Sequence, residues 1–241
     1  MCLAFFITVK IYSLGIARES GLYISSLVGD AYVIKNEPSL AQLKLEDKKQ
    51  IPWFPPFAVA TRKHSFLEVN YQSSEKSPIN LRLGQATGLE IRDLNNFYLI
   101  KGSILYATRS HEDFFLESNS SMVSINGSGT CIIESTFIGF KIIVMEGHFN
   151  LQKKHFLKSG DLVLISGPEG NPSEPIKIEL PLLLNTSRLV NQFSSKLCTN
   201  SRLISAAKVQ SMRMKTKYNA FIGGVSDDKE LRIWAVEKNI K

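Results

Sequence analysis

Short apolar runs with period-two alternation fill the chain from about residue 22 to residue 166. Runs such as "LEIRD" and "FYLIK" place an apolar side chain at every second position, and Gly or Asn-Gly breaks recur about every eight to twelve residues. Alternation of this kind is typical of strands that bury one face. Many such strands in succession predict an all-β, jelly-roll-like antiparallel sandwich or a barrel-like double sheet, rather than parallel βαβ units.

The stretch "VSINGSGTCIIES", residues 123–135, carries two glycines between apolar runs and resembles a phosphate-binding loop at first sight. A Walker-type loop needs four residues between its glycines and then Lys with Ser or Thr, and a dinucleotide loop needs a third glycine before a helix. Gly127 and Gly129 meet neither requirement, and the isoleucine pair that follows Cys131 favours a strand. The sequence therefore predicts that these glycines turn the chain between two strands and that no cofactor binds.

The composition is that of a folded protein, with 44% hydrophobic and 21% charged residues. A formal charge of +7 raises the question of nucleic acid, but the basic residues are scattered in pairs, apart from a looser cluster at Lys208, Arg213, Lys215 and Lys217. A scattered excess indicates a cationic solvated surface. We therefore expect no nucleic-acid partner.

Three cysteines, Cys2, Cys131 and Cys198, lack the spacing of a metal site and indicate buried or incidental thiols. A bridge between Cys131 and Cys198 is the alternative in an oxidising compartment. No metal site is predicted.

Residues 1–21 are the one candidate targeting segment. Lys10 interrupts their apolar run, and no basic region precedes it. Two interpretations stay open: a degenerate or truncated export signal, or the first strand or helix of the fold. Membrane association is expected only through this segment.

The character of the chain changes after "GPEGNPSEP", residues 167–175, which predicts a linker. Beyond it, apolar residues recur at helix-like intervals, with Thr186 or Asn200 as N-caps, and predict two amphipathic helices. The predicted organisation is a β-sandwich over 22–170 and a mostly helical extension over 171–241. The helices either pack back on the sheets or form a partner-binding appendage.

Two segments carry a family resemblance. "INGSGTCIIESTFIGFKIIVMEGHFNLQ" with "KKHFLKSGDLVLIS" resembles the second half of a FecR domain, and "LRLGQATGLEIRDLNNFYLIKGSIL" resembles its preceding block. The match spans about residues 57 to 166. The positions that carry it are Gly102, Gly127, Gly129, Thr130, Glu146, Gly147 and Gly160.

The resemblance implies a FecR-like domain of the secreted, single-domain kind, with structural roles for those seven residues. It implies an extracytoplasmic interaction or sensory module of a bacterial cell envelope, periplasmic or secreted, that binds a protein partner in signal transduction. The chain departs from FecR regulators, because it has too little sequence before residue 22 for their anti-sigma segment. Direct control of a sigma factor is therefore in doubt.

Catalytic groups are sparse. "SHEDFF", containing His111, Glu112 and Asp113, is the one local cluster of titratable groups with catalytic side-chain types, and it is typical of a charged hairpin turn. His148 and His155 flank a polar turn and would supply only two ligands, fewer than the three or four that zinc sites use, so no metal pair is predicted there. We therefore expect no catalytic residues and no enzyme activity.

Trp53, Phe54 and Phe57 lie among prolines and form an aromatic cluster. Held on a rigid loop, they suit either a partner contact or a cap at one end of the sandwich. The expected function is non-catalytic binding of a protein through this loop or a sheet edge. Two alternatives stay open: a carbohydrate-binding or carbohydrate-active jelly roll, and a self-assembling structural protein.

Overall fold

The computed structural model describes residues 21–35, 41–45, 54–72, 77–222 and 233–237. It is a β-sandwich with a C-terminal helical extension, which confirms the predicted fold class. The first eight strands are β1 (Gly21–Val28), β2 (Ala31–Lys35), β3 (Ala41–Lys44), β4 (Phe57–Thr61), β5 (Phe66–Gln72), β6 (Ile79–Leu83), β7 (Gly88–Asp93) and β8 (Asn96–Lys101).

The later elements include three long strands and three helices. They are β9 (Ser103–Glu117), β10 (Met122–Thr136), β11 (Gly139–Leu151), β12 (His155–Lys158), β13 (Asp161–Ser166), β14 (Asn171–Pro172), β15 (Ile176–Lys177), α1 (Leu180–Thr186), α2 (Arg188–Asn191), α3 (Asn200–Lys217), β16 (Tyr218–Ile222) and β17 (Ile233–Glu237).

The long strands β9, β10 and β11 each run through both layers of the sandwich. The first half of β9 pairs with β6, which continues to β5 and β1, while its last residues pair with β8, which continues to β7, β4, β2 and β3. The pairing of β8 with β9 is parallel, and the other strand pairs in the described residues are antiparallel. We call the layer containing β1, β5, β6 and β13 the helix-side sheet.

The strands at the centre of the helix-side sheet carry buried residues on both faces. In β10, Cys131 and Ile133 point into the apolar cluster between the two sheets, whereas Ile132 belongs to a second cluster formed with the helices. All five residues of β6 are buried, because one face of this strand meets the other sheet and the opposite face meets the helical extension. The architecture therefore has three layers: sheet, sheet and helices.

The extension packs back on the helix-side sheet, which is the first of the two predicted alternatives. Leu180, Leu189 and Leu203 contact Leu105 and Met145 of the sheet within one buried cluster. Three helices replace the two that were predicted, because the chain breaks between α1 and α2 at Ser187. After α3 the backbone forms the hairpin of β16 and β17, within the extension that was predicted to be mostly helical.

Two predicted turns are wrong. Residues 127–130 lie inside β10, and residues 110–115 lie inside β9. Glu146 and Gly147 lie inside β11. Strands long enough to cross both sheets contain these polar and glycine positions at their bends, so the breaks in the apolar pattern do not end the strands. Residues of the predicted linker form β14, and β15 follows directly after the linker; both strands pair with β13.

Candidate functional site

Glycines form the bend that the paired strands β10 and β11 share. Gly129 pairs with Gly147 at φ values of +137° and +83°, and the ladder shifts register on both sides of this pair in β10. A Cβ on Gly129 would collide with the carbonyl oxygen of Glu146, and one on Gly147 would collide with that of Ser128. Both positions therefore require glycine for conformation and for space. These glycines therefore bend a strand, where the sequence predicted a turn between two strands.

Two of the resemblance residues form a buried polar cluster beside this bend. Thr130 Oγ1 lies 2.5 Å from Thr199 Oγ1 and donates to Glu146 Oε1 at 3.4 Å, while Arg202 Nη2 donates to the same carboxylate oxygen at 3.0 Å. Thr130 and Thr199 are fully buried. Thr199 precedes α3, and its carbonyl accepts the first helical bond, from Leu203 N–H. The cluster therefore fixes the start of α3 on the bend.

A second polar cluster surrounds an ion pair that the solvent does not reach. Arg82 Nε lies 2.5 Å from Glu68 Oε2, with side chains 1% and 0% exposed. Glu68 Oε1 also accepts from Ser25 Oγ and from Ser195 Oγ, at 2.5 and 2.7 Å. Burial lowers the pKa of Arg82, and the Glu68 carboxylate opposes that shift.

Arg82 also holds the extension directly. Its guanidinium donates to the carbonyl oxygens of Leu189, Val190 and Ser195, at 3.0, 3.0 and 2.6 Å, and lies 4.5 Å from the centre of the Phe193 ring. These carbonyls lie at and after the end of α2, where a helix leaves carbonyl groups without intrahelical donors. Arg82 therefore satisfies a helix end from the sheet beneath it.

Cys131 and Cys198 are both free thiols, so the alternative of a bridge between them does not hold. Cys131 lies in the sandwich core, whereas Cys198 lies on the opposite face of the sheet, with Sγ 3.6 Å from the carbonyl oxygen of Ala107. Burial raises the pKa of both thiols, an effect that Arg109 and Arg202 partly oppose at Cys198. Two cysteines on opposite faces of one sheet cannot pair.

The outer surface of the extension carries a groove of about 410 Å³. Its lining residues come from all three helices: Pro181, Leu184, Asn185, Val190, Asn191, Asn200, Leu203, Ile204, Ala207, Lys208 and Ser211. The contribution of α3 follows the spacing i, i+3, i+4, i+7, i+8 and i+11, which places these residues along one face of a helix. None of the eleven lining residues carries a carboxylate, thiol or imidazole group.

Apolar side chains continue the surface around the groove. Leu182, Ile204 and Met212 are each more than half exposed. Lys208 is the one charged residue of the lining, and it forms no ion pair within the described residues. The groove is therefore mostly apolar with a single lysine in its lining, and we take it as the candidate binding site.

The other predicted residues lie apart from this groove. Gly102 and Gly160 occupy the connections before β9 and before β13, consistent with a structural role. Phe54 is 61% exposed, but Phe57 opens β4 with a 4% exposed side chain in the sandwich core, so Phe57 does not present a contact surface. Trp53 lies outside the described residues.

The histidines do not form the considered pair. His148 pairs with Lys158 and His155 with Leu151, while the ring of His148 stacks between His111 and Phe156 at centroid distances of 6.4 and 5.9 Å. The described residues contain no group of three or more His, Cys, Asp or Glu placed to hold a metal ion.

Sequence reasoning missed Glu68, Arg82, Thr199 and Ser195. Glu68 and Arg82 occupy the alternate positions of β5 and β6, which resemble solvent-facing positions in a two-layer sandwich. One feature of the sequence indicated that the outer face of a sheet is covered: the amphipathic helices predicted in the extension. Apolar helices that pack on a sheet must cover one of its faces, so polar residues on that face become buried.

Within the part of the chain that the structure describes, no helix combines the length and the apolar character that crossing a membrane requires. Comparisons of the chain with family models, with curated proteins and with solved structures found no match. The resemblance to FecR domains therefore stays a prediction from the residues.

Proposed function

We propose that this protein is a non-catalytic binding module that recognises a protein partner through the groove of its helical extension. The observation that carries the proposal is the contrast between the two sides of the helices. Their inner side is fixed on the sheet by the clusters at Arg82 and Thr130, whereas their outer side leaves an apolar groove with Ile204 57% exposed. A rigidly held apolar concavity suits a partner's side chains.

This proposal moves the binding surface from the aromatic loop to the extension. The loop offers Phe54, while Phe57 is part of the core. The groove offers side chains from three helices around one concavity. The sandwich then serves as the support that holds the helices in place.

The proposed cellular location is based on the resemblance to FecR domains. A FecR-like domain works outside the cytoplasm of a bacterium, and we propose the same setting here, with binding as a step in envelope signalling. Fractionation of cells that produce the full chain with a C-terminal tag tests this point. Protection from protease added to spheroplasts would overturn the extracytoplasmic setting and leave the binding proposal intact.

Site-specific photo-crosslinking tests the binding proposal. A photoreactive benzophenone amino acid replaces Ile204 in the groove or, as the control, Val209, which is 38% exposed on the same helix but is not part of the lining. We expect one discrete crosslinked protein from position 204 and none from position 209. Equal products from both positions, or none from either, would contradict the assignment of the groove.

A further inference from the structure

We infer that the groove binds an acidic amphipathic helix of the partner protein. This partner class rests on the proposed function. The partner's apolar residues would enter the groove, and its Asp or Glu residues would face the basic side chains around it. The inference depends on the charge of the extension, the geometry of the groove and the polar groups of its wall.

The charge of the helical part of the extension, residues 180–217, has one sign. Residues 180–217 contain seven Lys or Arg and no Asp or Glu, although the whole chain has 22 acidic residues. Arg188, Lys196, Arg202 and Lys208 are exposed. Arg202 is paired with Glu146, while Lys208 has no ion pair within the described residues. The exposed acid nearest in sequence is Glu179, immediately before α1. A surface of one sign attracts a partner of the opposite sign.

The groove has the dimensions of a helix-binding site. Its α3 wall runs from Asn200 to Ser211, about 16 Å at the rise of a helix. That length is about three turns, which accommodates anchors at i, i+3 or i+4 and i+7, since these span about two turns of a helix that binds an apolar groove. Leu203 and Ala207 form its floor because they are buried against the sheet, and Ile204 and Lys208 form its outer wall.

The concave shape favours a peptide over a flat anionic membrane. Val190 and Leu203 lie within the concavity, half-buried and buried respectively, where the headgroup plane of a bilayer does not reach them. Asn185 and Asn200 also line the groove, and such side chains can bond to polar groups at a peptide's ends or flanks. A membrane remains the competing occupant that the experiment separates.

The test uses the full chain and three labelled 16-residue peptides in fluorescence anisotropy. The first carries Leu at positions i, i+3, i+4, i+7 and i+11 of a helix with Glu elsewhere, the second replaces each Glu with Lys, and the third scrambles the first. We expect the first peptide to bind at least about tenfold more tightly than the other two. Raising the salt concentration from about 0.05 M to about 0.5 M should weaken its binding, because ions screen exposed charges.

Two matched pairs of variants locate the binding. Lys208→Glu should weaken the first peptide about tenfold, while Lys196→Glu, the same charge change outside the lining, should weaken it less than about threefold. Ile204→Asp should abolish binding, while Val209→Asp should retain it. Circular dichroism spectra identical to wild type establish that each variant is folded.

Each alternative result overturns the inference. Equal binding of the Glu and Lys peptides would exclude charge recognition, and no binding of either would exclude the helix class. Binding of the chain to vesicles containing about 30% phosphatidylserine, with no peptide binding, would assign the groove to a membrane surface. A dimer on size-exclusion chromatography that Ile204→Asp dissociates would assign it to a second copy. Failure of the peptides together with position-specific crosslinking at residue 204 would overturn the partner class alone.

Discussion

Both faces of the helix-side sheet carry buried residues, but different interactions hold the two faces. The inner face meets the other sheet through aliphatic and aromatic side chains, among them Tyr106, Ile133 and Val144. The outer face meets the helices through a smaller apolar cluster and through buried polar groups centred on Arg82 and Thr130. Apolar burial drives association without fixing direction, whereas hydrogen bonds require one geometry.

This difference explains why the helices can present a groove. A helix held only by an apolar stripe can shift along the sheet, but Arg82 bonds three carbonyl groups and Thr199 bonds the bend. Gln210 adds a further connection, since its amide donates to the Ile178 carbonyl and accepts from Leu180 N–H, both at 2.7 Å. The outer interface therefore specifies position, and the inner interface supplies most of the apolar burial.

The largest expected effect comes from Arg82→Met. The substitution leaves the Glu68 carboxylate buried without its cation, and breaking a buried pair in this way costs about 3–5 kcal/mol. We expect the free energy of unfolding in urea to fall by that amount. Hydrogen exchange should accelerate most in residues 180–217, because their carbonyl anchors are lost.

The double variant Glu68→Leu/Arg82→Met is the control for this prediction. Removing both charges abolishes the unpaired carboxylate and should restore part of the lost stability. Uniformly faster exchange across β9 and α3 in Arg82→Met would contradict a role specific to the outer interface.

Adjacent residues of β10 allow a direct comparison of the two faces. Ile133→Ala removes side-chain volume from the sandwich core, and Ile132→Ala removes the same volume from the helix interface. We expect Ile133→Ala to cost about 2–5 kcal/mol in urea unfolding and Ile132→Ala to cost less, since Ile132 is 6% exposed and its surroundings can relax. Limited proteolysis should cut the extension faster in Ile132→Ala only. Equal cutting in both variants would contradict separate roles for the two faces.

The inner face could be predicted from the sequence because its chemistry is periodic. Leu89 and Ile91, or Phe97 and Leu99, recur with period two, and this pattern suffices to predict strands and the sandwich class. The lengths of β9, β10 and β11 could not be predicted. Glycines and charged residues mark the bends of these strands, and the same residues usually mark turns.

The contacts of the outer face with the helices could not be predicted, because they depend on individual polar residues rather than on a periodic pattern. The sequence around Glu68 and Arg82 does not distinguish this pair from Glu90 and Arg92. The second pair also lies at alternate strand positions, in β7, but is partly exposed. Only the docking of α2 above β6 separates the two pairs. The groove depends on the same docking, although the absence of acidic residues in 180–217 is visible in the sequence.

A smaller effect is expected from Thr130→Val, a change that keeps the shape of the side chain and removes its hydroxyl. Thr199 Oγ1 and Glu146 Oε1 would each lose a buried hydrogen-bond partner. Because Arg202 still pairs with Glu146, we expect a loss of about 1–3 kcal/mol, measured by urea unfolding. The double variant Thr130→Val/Thr199→Val should be less destabilised than the sum of the single variants. Additive losses would show that the two hydroxyls do not interact.

The smallest effect is expected where the outer side of α3 meets solvent. Ile204 is 57% exposed and Leu203, its neighbour, is 1% exposed beneath the same groove. We expect Ile204→Ala to change the free energy of unfolding by less than about 0.5 kcal/mol and Leu203→Ala to lower it by about 2–5 kcal/mol. Urea unfolding of both variants checks the difference. A large loss in Ile204→Ala would mean that this side chain supports the fold, whereas a neutral result means that the apolar residue at position 204 needs an explanation other than stability, such as binding.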